Sequence, residues 1–348
     1  MEMTDRFLRA CRLEAVDMTP VWFMRQAGRY MPEYRALREK YSLLELCRQP
    51  DLATEVTLQP VRALGVDAAI LFADILLPAI PLGVGLEFAK GEGPVLQQPV
   101  RSMADVERLK AFQAQVELGY VMQALKILRQ ELHGLPLIGF CGAPFTLASY
   151  IVEGGSSREF TRTKSLMYTE PATWHALMVK LSVVLAGYIT AQIEAGAQAV
   201  QIFDSWVGAL SPQDYVEFVQ PYSRQVLQAA ESTGVPVIHF GTGATTLLPA
   251  MRAAGGTVMG LDWRIGLDDG WKILGNNMAV QGNLDPAALF APPPELKKRV
   301  EDVLRRAGGR AGHIFNLGHG ILQNTPVGSV KAVVEMVHEY SAEGLGVR

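Results

Sequence analysis

The amino-acid sequence predicts an α/β protein that forms a single (β/α)₈ barrel, with its active-site cleft at the C-terminal ends of the strands. Eight short runs rich in β-forming residues recur along the 348 residues. Each run ends in a polar or glycine-containing turn, and most runs are followed by a helical pattern. Such alternation is typical of a parallel sheet, and eight strands are the number that closes this barrel. We therefore expect one catalytic domain over residues 1–348.

The predicted strands are the apolar runs that alternate with these helical patterns. A chain of this length also leaves a doubly wound sheet or a two-domain enzyme open, but the number of runs favours the closed barrel. The runs lie near Val21–Met24, Ala68–Phe72, Leu137–Phe140, Ala199–Phe203, Pro236–Phe240, Thr257–Leu261, Met278–Gln281 and His313–Asn316.

Helices are predicted where apolar residues recur at helical spacing on an otherwise polar segment. A small hairpin over the barrel mouth is expected at Lys90–Pro99, between the second and third strands, because glycine and proline cluster there. The clearest helical segments, all expected to pack outside the barrel, are Pro171–Ala195, Tyr215–Glu231 and Val327–Tyr340.

Composition restricts the class of protein. With 49% hydrophobic residues, 19% charged residues and a net charge of -3, the chain is typical of a globular protein with a large core, and no nucleic-acid partner is expected. Asp74, Pro78 and Pro81 interrupt the longest apolar stretch, so no membrane insertion is expected. The N-terminal residues lack the apolar core of a secretory signal, and the three widely spaced cysteines form no ligand pair. The expected location is the cytoplasm.

Arginines follow the first predicted strand. In a barrel of this type the functional residues lie just past the strands, and guanidinium groups suit paired hydrogen bonding to carboxylates or phosphates. Arg25 and Arg29 therefore indicate an anionic ligand, and Gly28 between them allows close approach of the backbone. Arg35 and Arg38 fit equally well on a solvated helix face.

Asp74 stands out because it is a carboxylate set in hydrophobic sequence just after the second predicted strand. A carboxylate removed from water is unfavourable unless a cation or a hydrogen-bond donor meets it. It is therefore either a functional acid or the buried ion-pair partner of an arginine such as Arg25 or Arg29. Both interpretations place Asp74 beside the arginines.

Metal and phosphate motifs are weak in this sequence. His239, His313 and His319 lie in or after late strands, but no H-E-x-x-H motif or nearby cysteine completes a ligand set. His319, between two glycines, remains a candidate substrate donor. The run Gly241-Thr242-Gly243 lacks the features of a dinucleotide or P-loop motif and is better explained as a tight turn.

Five motifs carry a resemblance to the uroporphyrinogen decarboxylase family. The two long ones are PVWFMRQAGRY at 20–30 and GFCGAPFTLASY at 139–150, the latter followed by VEGG at 152–155. The shorter ones are FADIL at 72–76, FDSW at 203–206 and NLGHG at 316–320. They occur in the family's order, so the resemblance covers nearly the whole chain.

The resemblance implies a homodimeric barrel enzyme of heme and chlorophyll biosynthesis. Such an enzyme converts uroporphyrinogen III to coproporphyrinogen III by removing carbon dioxide from four acetate side chains, and it needs no metal or organic cofactor. The resemblance further implies that Asp74 and Arg25 are catalytic. The implied substrate-binding residues are Arg25, Gln26, Ala27, Gly28, Arg29, Arg38, Asp74, Tyr150, Ser205 and His319.

The chemistry of decarboxylation fits these residues. Loss of carbon dioxide leaves an electron pair that needs a sink, and a protonated pyrrole ring supplies one. A fixed carboxylate at the pyrrole N–H groups would stabilise that cation as it forms, and Asp74 suits this role. The proton donor stays open between Arg25, a bound water and a substrate carboxylic acid, because a guanidinium is a poor acid.

Two other functions would use part of the same residue pattern. A zinc-dependent corrinoid or coenzyme M methyltransferase shares the barrel, but it binds zinc through a His-x-Cys pair and a later cysteine, whereas the matching strand reads His239-Phe240-Gly241 here. A non-catalytic tetrapyrrole carrier would keep the arginines but would have no need of Asp74. Binding without turnover would identify such a carrier.

Overall fold

Nine strands alternate with sixteen helices in the computed structural model, which describes residues 5–89, 93–275 and 277–342. The strands are β1 Ala69–Ile70, β2 Leu86–Ala89, β3 Gly93–Leu96, β4 Leu137–Gly142, β5 Ala199–Asp204, β6 Val237–Gly241, β7 Val258–Gly260, β8 Ala279–Gln281 and β9 His313–Ile314. Seven of them form one parallel sheet in the order β1-β4-β5-β6-β7-β8-β9. These seven confirm the predicted strands that follow the first.

The first predicted strand is reduced to a bridge that joins the two edges of this sheet. Val21 forms a parallel bridge with Phe315 next to β9. On the other side, the carbonyl of Val21 accepts a hydrogen bond of 2.8 Å from the N–H of Asp67, just before β1. The segment around Val21 therefore hydrogen-bonds to both edges of the curled sheet, and the eight-stranded barrel is confirmed with one very short strand.

The helices lie between successive strands, as a parallel barrel requires. They are α1 Arg6–Cys11, α2 Pro32–Lys40, α3 Leu43–Arg48, α4 Pro50–Leu64, α5 Met103–Arg108, α6 Ala114–Glu117, α7 Gly119–Glu131, α8 Pro144–Glu153, α9 Thr161–Thr169, α10 Pro171–Glu194, α11 Pro212–Phe218, α12 Gln220–Glu231, α13 Leu248–Ala254, α14 Leu267–Leu274, α15 Pro293–Ala307 and α16 Val327–Ala342.

Local sequence explains several boundaries. Ser42 and Glu45 form a reciprocal capping box at the start of α3, which satisfies two otherwise unpaired N–H groups. The prediction of one helix over Tyr215–Glu231 is wrong, because the chain breaks at Val219 between α11 and α12. Pro221, at the start of α12, has no N–H to continue the helix before it.

The predicted hairpin is present, but it begins earlier than the sequence indicates. Strands β2 and β3 pair antiparallel, with Leu86 opposite Leu96, whereas the glycine and proline cluster suggested a start at Lys90. Lys90 itself lies outside the described residues. The N–H of Leu96 donates to the carbonyl of Gly154 at 3.0 Å, so the hairpin packs on the C-terminal end of α8.

Helix α10, with 24 residues, is the one described helix that has the length and hydropathy of a membrane span. More than half of its most apolar 18-residue stretch is buried in this fold. Trp174, Leu177 and Leu181 are fully buried, and the indole N–H of Trp174 donates to the carbonyl of Phe218 at 2.9 Å. Packing against the barrel therefore accounts for the apolar character of this helix.

The barrel interior holds a hydrogen-bonded polar network among its apolar side chains. Gln281 donates to Gln201 at 3.0 Å and accepts from the indole N–H of Trp22 at 3.0 Å. These residues come from β8, from β5 and from the segment around Val21, which is called the first segment below, so their side chains meet across the barrel. These buried polar groups satisfy one another's hydrogen bonds, as buried polar groups require. The network also links strands that are not neighbours in the sheet.

Candidate active site

The candidate site residues gather at the C-terminal end of the barrel strands, which is called the mouth below. Arg25 follows the first segment, Asp74 follows β1, Ser205 follows β5 and His319 follows β9, while Tyr150 lies in α8 directly after β4. Because all these strands are parallel, their C-terminal ends face the same side. The structure therefore brings together residues that are up to 294 positions apart in sequence, the separation of Arg25 and His319.

Gln26, which is fully buried, stabilises the loop after the first segment by hydrogen bonds. Its side chain accepts from the N–H of Phe23 at 3.1 Å and donates to the carbonyl of Ala68 at 3.1 Å. Its own N–H and carbonyl pair with Phe23 and with the Tyr30 hydroxyl. All of its polar groups therefore hold the loop, so Gln26 acts on a ligand only by positioning its neighbours.

The same loop presents consecutive backbone donors. Among the described residues, the N–H groups of Ala27, Gly28 and Arg29 donate no hydrogen bond within the protein. Arg35 also stabilises this loop, because one of its guanidinium nitrogens donates to the carbonyl oxygen of Arg29 at 3.2 Å. Successive free N–H groups form a concave site for an anion. This feature is set by loop geometry, which the residue types do not reveal.

Arg25 is held in an unusual conformation over Gly320. Its φ is 60°, a left-handed value that is uncommon for a residue with a side chain. A Cβ atom built on Gly320 would lie 2.5 Å from Cδ of Arg25 and 2.7 Å from Cγ. The glycine therefore provides the space that the aliphatic part of this arginine occupies.

Asp74 is half-buried at the start of the turn that follows β1. Its Oδ1 accepts a hydrogen bond of 2.8 Å from the N–H of Leu76. Burial raises the pKa of this carboxyl above that of an ordinary aspartate, although the Leu76 N–H and the charge of Arg25 oppose the rise. A carboxylate that is partly shielded from water interacts more strongly with an adjacent cation than a fully exposed one does.

Tyr150 and Trp206 form the wall next to Asp74. Their rings meet edge to face with centroids 5.0 Å apart, and Phe160 packs on the other side of Trp206 at 4.8 Å. Burial raises the pKa of Tyr150 to about 12, with a further contribution from the charge of Asp74. The phenol is therefore a neutral hydrogen-bonding group, and half-buried Ser205 lies next to Trp206 in the chain.

His319 lies on the opposite side of the mouth, after β9. Burial lowers its pKa to about 4, and the charges of Arg25 and Arg264 lower it further. Its ring lies 6.2 Å from that of Phe240. At neutral pH the imidazole is uncharged, so it serves a ligand as one hydrogen-bond donor and one acceptor.

Aromatic rings line the inside of the mouth between these polar groups. Phe140, Phe203 and Phe240, from three adjacent strands, contact edge to face with centroids 5.5 and 6.1 Å apart. Tyr34 packs on Phe72 in the same way at 5.6 Å. Most of these rings are buried, so they form an apolar floor beneath the polar groups of the mouth.

The outer arginines occupy different positions. Arg29 is exposed, and its guanidinium lies 3.5 Å from the side-chain oxygen of Gln323. Arg38, in α2, donates to the carbonyl of Tyr41 at 2.9 Å and is half-buried. Arg35 is exposed on the face of α2, in agreement with the solvated-face interpretation for that residue.

Arg264 is not among the residues that the sequence motifs indicate, although it follows β7 at the same end of the barrel. Its guanidinium donates to Asp262 at 2.6 Å and stacks 4.0 Å from the ring centroid of Trp263. The available signal was the polar run after the seventh strand, where one basic residue between Trp263 and Ile265 gave no reason to prefer it.

Metal ligands do not cluster in the described part of the chain, where no group of three or more His, Cys, Asp and Glu side chains could hold an ion. His239 is paired in register with Ile202, one position after Gln201. Because side chains alternate along a strand and Gln201 faces the barrel interior, His239 faces the surrounding helices. It therefore lies away from the mouth.

The fold and the mouth define a (β/α)₈-barrel enzyme for a small anionic molecule. A family model described as uroporphyrinogen decarboxylase (URO-D) matches residues 2–340. The chain belongs to the uroporphyrinogen decarboxylase family, a family of carboxy-lyases.

Individual relatives agree with this assignment. The chain is 62% identical to a uroporphyrinogen decarboxylase of Sorangium cellulosum (strain So ce56), over 97% of this chain and 96% of the relative. It is 57% identical to a uroporphyrinogen decarboxylase of Solibacter usitatus (strain Ellin6076), over 97% and 98%. A methyltransferase from Methanosarcina mazei has the same fold, with a TM-score of 0.81 at 20% identity, over 97% of this chain and 98% of that one.

Proposed function

We propose that this protein removes carbon dioxide from the four acetate side chains of uroporphyrinogen III and leaves methyl groups, so that the product is coproporphyrinogen III. The observation that carries the proposal is a carboxylate, Asp74, with a raised pKa, at a mouth whose other charged groups include Arg25, Arg29 and Arg264. The substrate is a small cyclic tetrapyrrole with carboxylate arms. Its arms match the cations, and its N–H groups match Asp74.

The reaction requires a cation to form on one pyrrole ring. Protonation of the ring carbon next to the one that bears the acetate makes the ring positive, and the electron pair of the breaking bond between the methylene and the carboxylate then flows into the ring. Carbon dioxide leaves, the methylene takes up a proton to become a methyl group, and the ring carbon loses the proton that it had gained, which restores the pyrrole. Asp74, fixed by the N–H of Leu76, accepts the pyrrole N–H groups and stabilises the charge where it appears.

The remaining residues hold the carboxylate arms. Arg25, whose charge opposes the rise in the pKa of Asp74, binds the acetate that reacts. The N–H groups of Ala27, Gly28 and Arg29, with the Arg29 guanidinium, bind a second arm. Arg38 is a weaker candidate for the same duty, because one of its donors already pairs with Tyr41.

Neutral groups supply the directional contacts. Tyr150, Ser205 and His319 donate hydrogen bonds to substrate oxygens from three sides of the mouth. Because the pKa of Tyr150 is raised and that of His319 is lowered, neither carries a charge at neutral pH. A guanidinium is a poor acid, so we assign the ring proton to a water or a substrate carboxylic acid held beside Arg25.

We also infer a cytoplasmic homodimer in which residues 1–348 form a single catalytic domain that needs no metal or organic cofactor. The family membership supports these points. Sedimentation of the purified protein measures the oligomeric state directly, and a monomer at micromolar concentration would contradict the dimer.

One anaerobic assay tests the function. Purified protein, treated with chelator and dialysed, is incubated with uroporphyrinogen III under nitrogen, and the products are separated by their number of carboxyl groups. We expect stepwise loss from eight carboxyl groups to four. Activity that disappears on chelation and returns with zinc would favour the methyltransferase-type site, and product binding without any turnover would identify a carrier.

A further inference from the structure

A second guanidinium borders His319, on the side of the mouth formed by the β7 loop. The pKa of His319 is lowered by burial and then by the charges of Arg25 and Arg264, in that order. A Cβ atom built on Gly318 would lie 2.4 Å from the backbone nitrogen of Trp263, so the two loops are in close contact. Arg264 therefore lies on the rim of the same mouth as Arg25.

Arg264 is held in place by two neighbours. One nitrogen donates to the buried carboxylate of Asp262 at 2.6 Å, and the guanidinium plane lies over the ring of Trp263. Asp262 is itself fixed, because it accepts from the N–H of Gly243 at 2.5 Å and from that of Arg264 at 3.0 Å. An arginine that is already ordered loses little conformational entropy when it binds a ligand.

The donors of this arginine are only partly used. Within residues 5–89, 93–275 and 277–342, only Nη1 of its side chain makes a hydrogen bond, and 49% of the side chain is exposed. The other two nitrogens of a guanidinium in this position can bind a carboxylate at the rim of the mouth.

We propose that Arg264 binds a propionate carboxylate of the tetrapyrrole, a site that rests on the proposed function. The reacting acetate belongs at Asp74, where the cation forms. A half-exposed guanidinium at the rim, on a different loop from Asp74, suits an arm that keeps its charge throughout the reaction. Propionates are the arms that remain in the product, so a propionate is available to this contact at each of the four decarboxylations.

The test compares Arg264→Gln with a matched control. Arg62→Gln removes another exposed arginine, paired with Glu55 at 3.0 Å, at the end of α4, which leads into the opposite end of the barrel. We expect Arg264→Gln to raise KM for uroporphyrinogen III about tenfold, equivalent to about 1.4 kcal/mol, with kcat changed less than twofold. The Kd for coproporphyrinogen III, measured by equilibrium dialysis under nitrogen, should rise by the same factor. The control should change neither constant.

Further variants separate binding from folding. Arg264→Lys keeps a positive charge beside Asp262, so it should recover any thermal stability lost in Arg264→Gln while binding both ligands more weakly than the original arginine. An unchanged Kd for coproporphyrinogen III in both variants would overturn the proposal. A raised KM with an unchanged product Kd would overturn the propionate assignment, because an acetate would then be the bound arm. Equilibrium dialysis measures binding at Arg264 even if the unaltered protein shows no turnover. A lack of turnover would refute the proposed function separately from the binding role of Arg264.

Discussion

Replacement of Asp74 by asparagine separates electrostatic catalysis from binding. The amide keeps the size of the side chain and one oxygen for the N–H of Leu76, but it removes the negative charge. Positive charge appears on the pyrrole only after ring protonation, so the lost interaction belongs mainly to the transition state. We therefore expect kcat to fall while KM changes little.

The size of the effect follows from the position of Asp74. Two opposite charges about 4 Å apart attract by about 4 kcal/mol when the effective dielectric constant is near 20. The amide oxygen of the variant keeps part of this attraction as a dipole. Loss of one preorganised electrostatic group typically costs about 2.7 to 4 kcal/mol, so kcat should fall by about two to three orders of magnitude.

The raised pKa of Asp74 adds a test of stability. Because its pKa is higher in the folded protein than in an unfolded chain, the folded state binds more protons between these two values, and stability falls as pH rises through that range. Charged Asp74 therefore destabilises the fold at neutral pH, and Asp74→Asn should unfold at the same temperature or a higher one. The rate of the unaltered enzyme should fall on acidification at a pH above the pKa of an ordinary aspartate.

Single-turnover assays under nitrogen measure kcat, and thermal denaturation at pH 7 measures stability. Near-normal turnover combined with a lower unfolding temperature would refute the reasoning, because Asp74 would then be a structural ion-pair partner. Asp74→Glu gives a second check. Its extra methylene displaces the carboxylate by roughly an ångström, so activity should stay low although the charge is present.

Three further substitutions test the binding residues and the closure of the barrel. Arg29→Ala should weaken substrate binding by about 1.5 to 3 kcal/mol, the range for a hydrogen bond to a charged group, as measured by KM. Gly320→Ala places a methyl group where Cδ of Arg25 lies, so kcat/KM should fall by at least about tenfold while the protein stays folded. The Asp67 carboxylate binds the N–H of Val21 at 2.8 Å, Arg6 at 2.7 Å and His338 at 2.6 Å. Asp67→Ala should lower the free energy of unfolding by about 3 to 5 kcal/mol, because it leaves these mostly buried partners without their carboxylate, as measured by urea denaturation.

Matched variants control these results. Gly328→Ala adds a methyl group to α16 where nothing lies within 4 Å, so it should leave kcat/KM unchanged. Asp17→Ala removes the more exposed partner of Arg6 and should cost less than about 1 kcal/mol. An unchanged KM in Arg29→Ala, normal activity in Gly320→Ala, or equal losses of stability in the Asp67 and Asp17 variants would each contradict the corresponding role.

The sequence was sufficient for the order of strands and for the residues at their ends, because both follow from local patterns. It was not sufficient where a contact between residues far apart in the sequence sets the local structure. The first strand is a bridge at Val21, which is set by pairing with Phe315 and Asp67. The placement of Arg25 depends on the space over Gly320, and the ordering of Arg264 depends on Asp262 and Trp263. None of these contacts is visible in a residue type.

The methyltransferase from Methanosarcina mazei shares this fold, so the barrel alone does not determine the chemistry. At the strand where a His-x-Cys pair would lie, the second position is Gly241. A Cβ atom there would lie 2.8 Å from Cγ1 of Val207 and 3.0 Å from Cε of Met251. Packing has therefore filled the space that a thiolate would need, and His239 faces the helices. In the same barrel, charge at the mouth comes instead from Asp74 and the arginines. In the reaction proposed above, the carboxylate suits a protonated pyrrole and the arginines suit the carboxylate arms of the substrate.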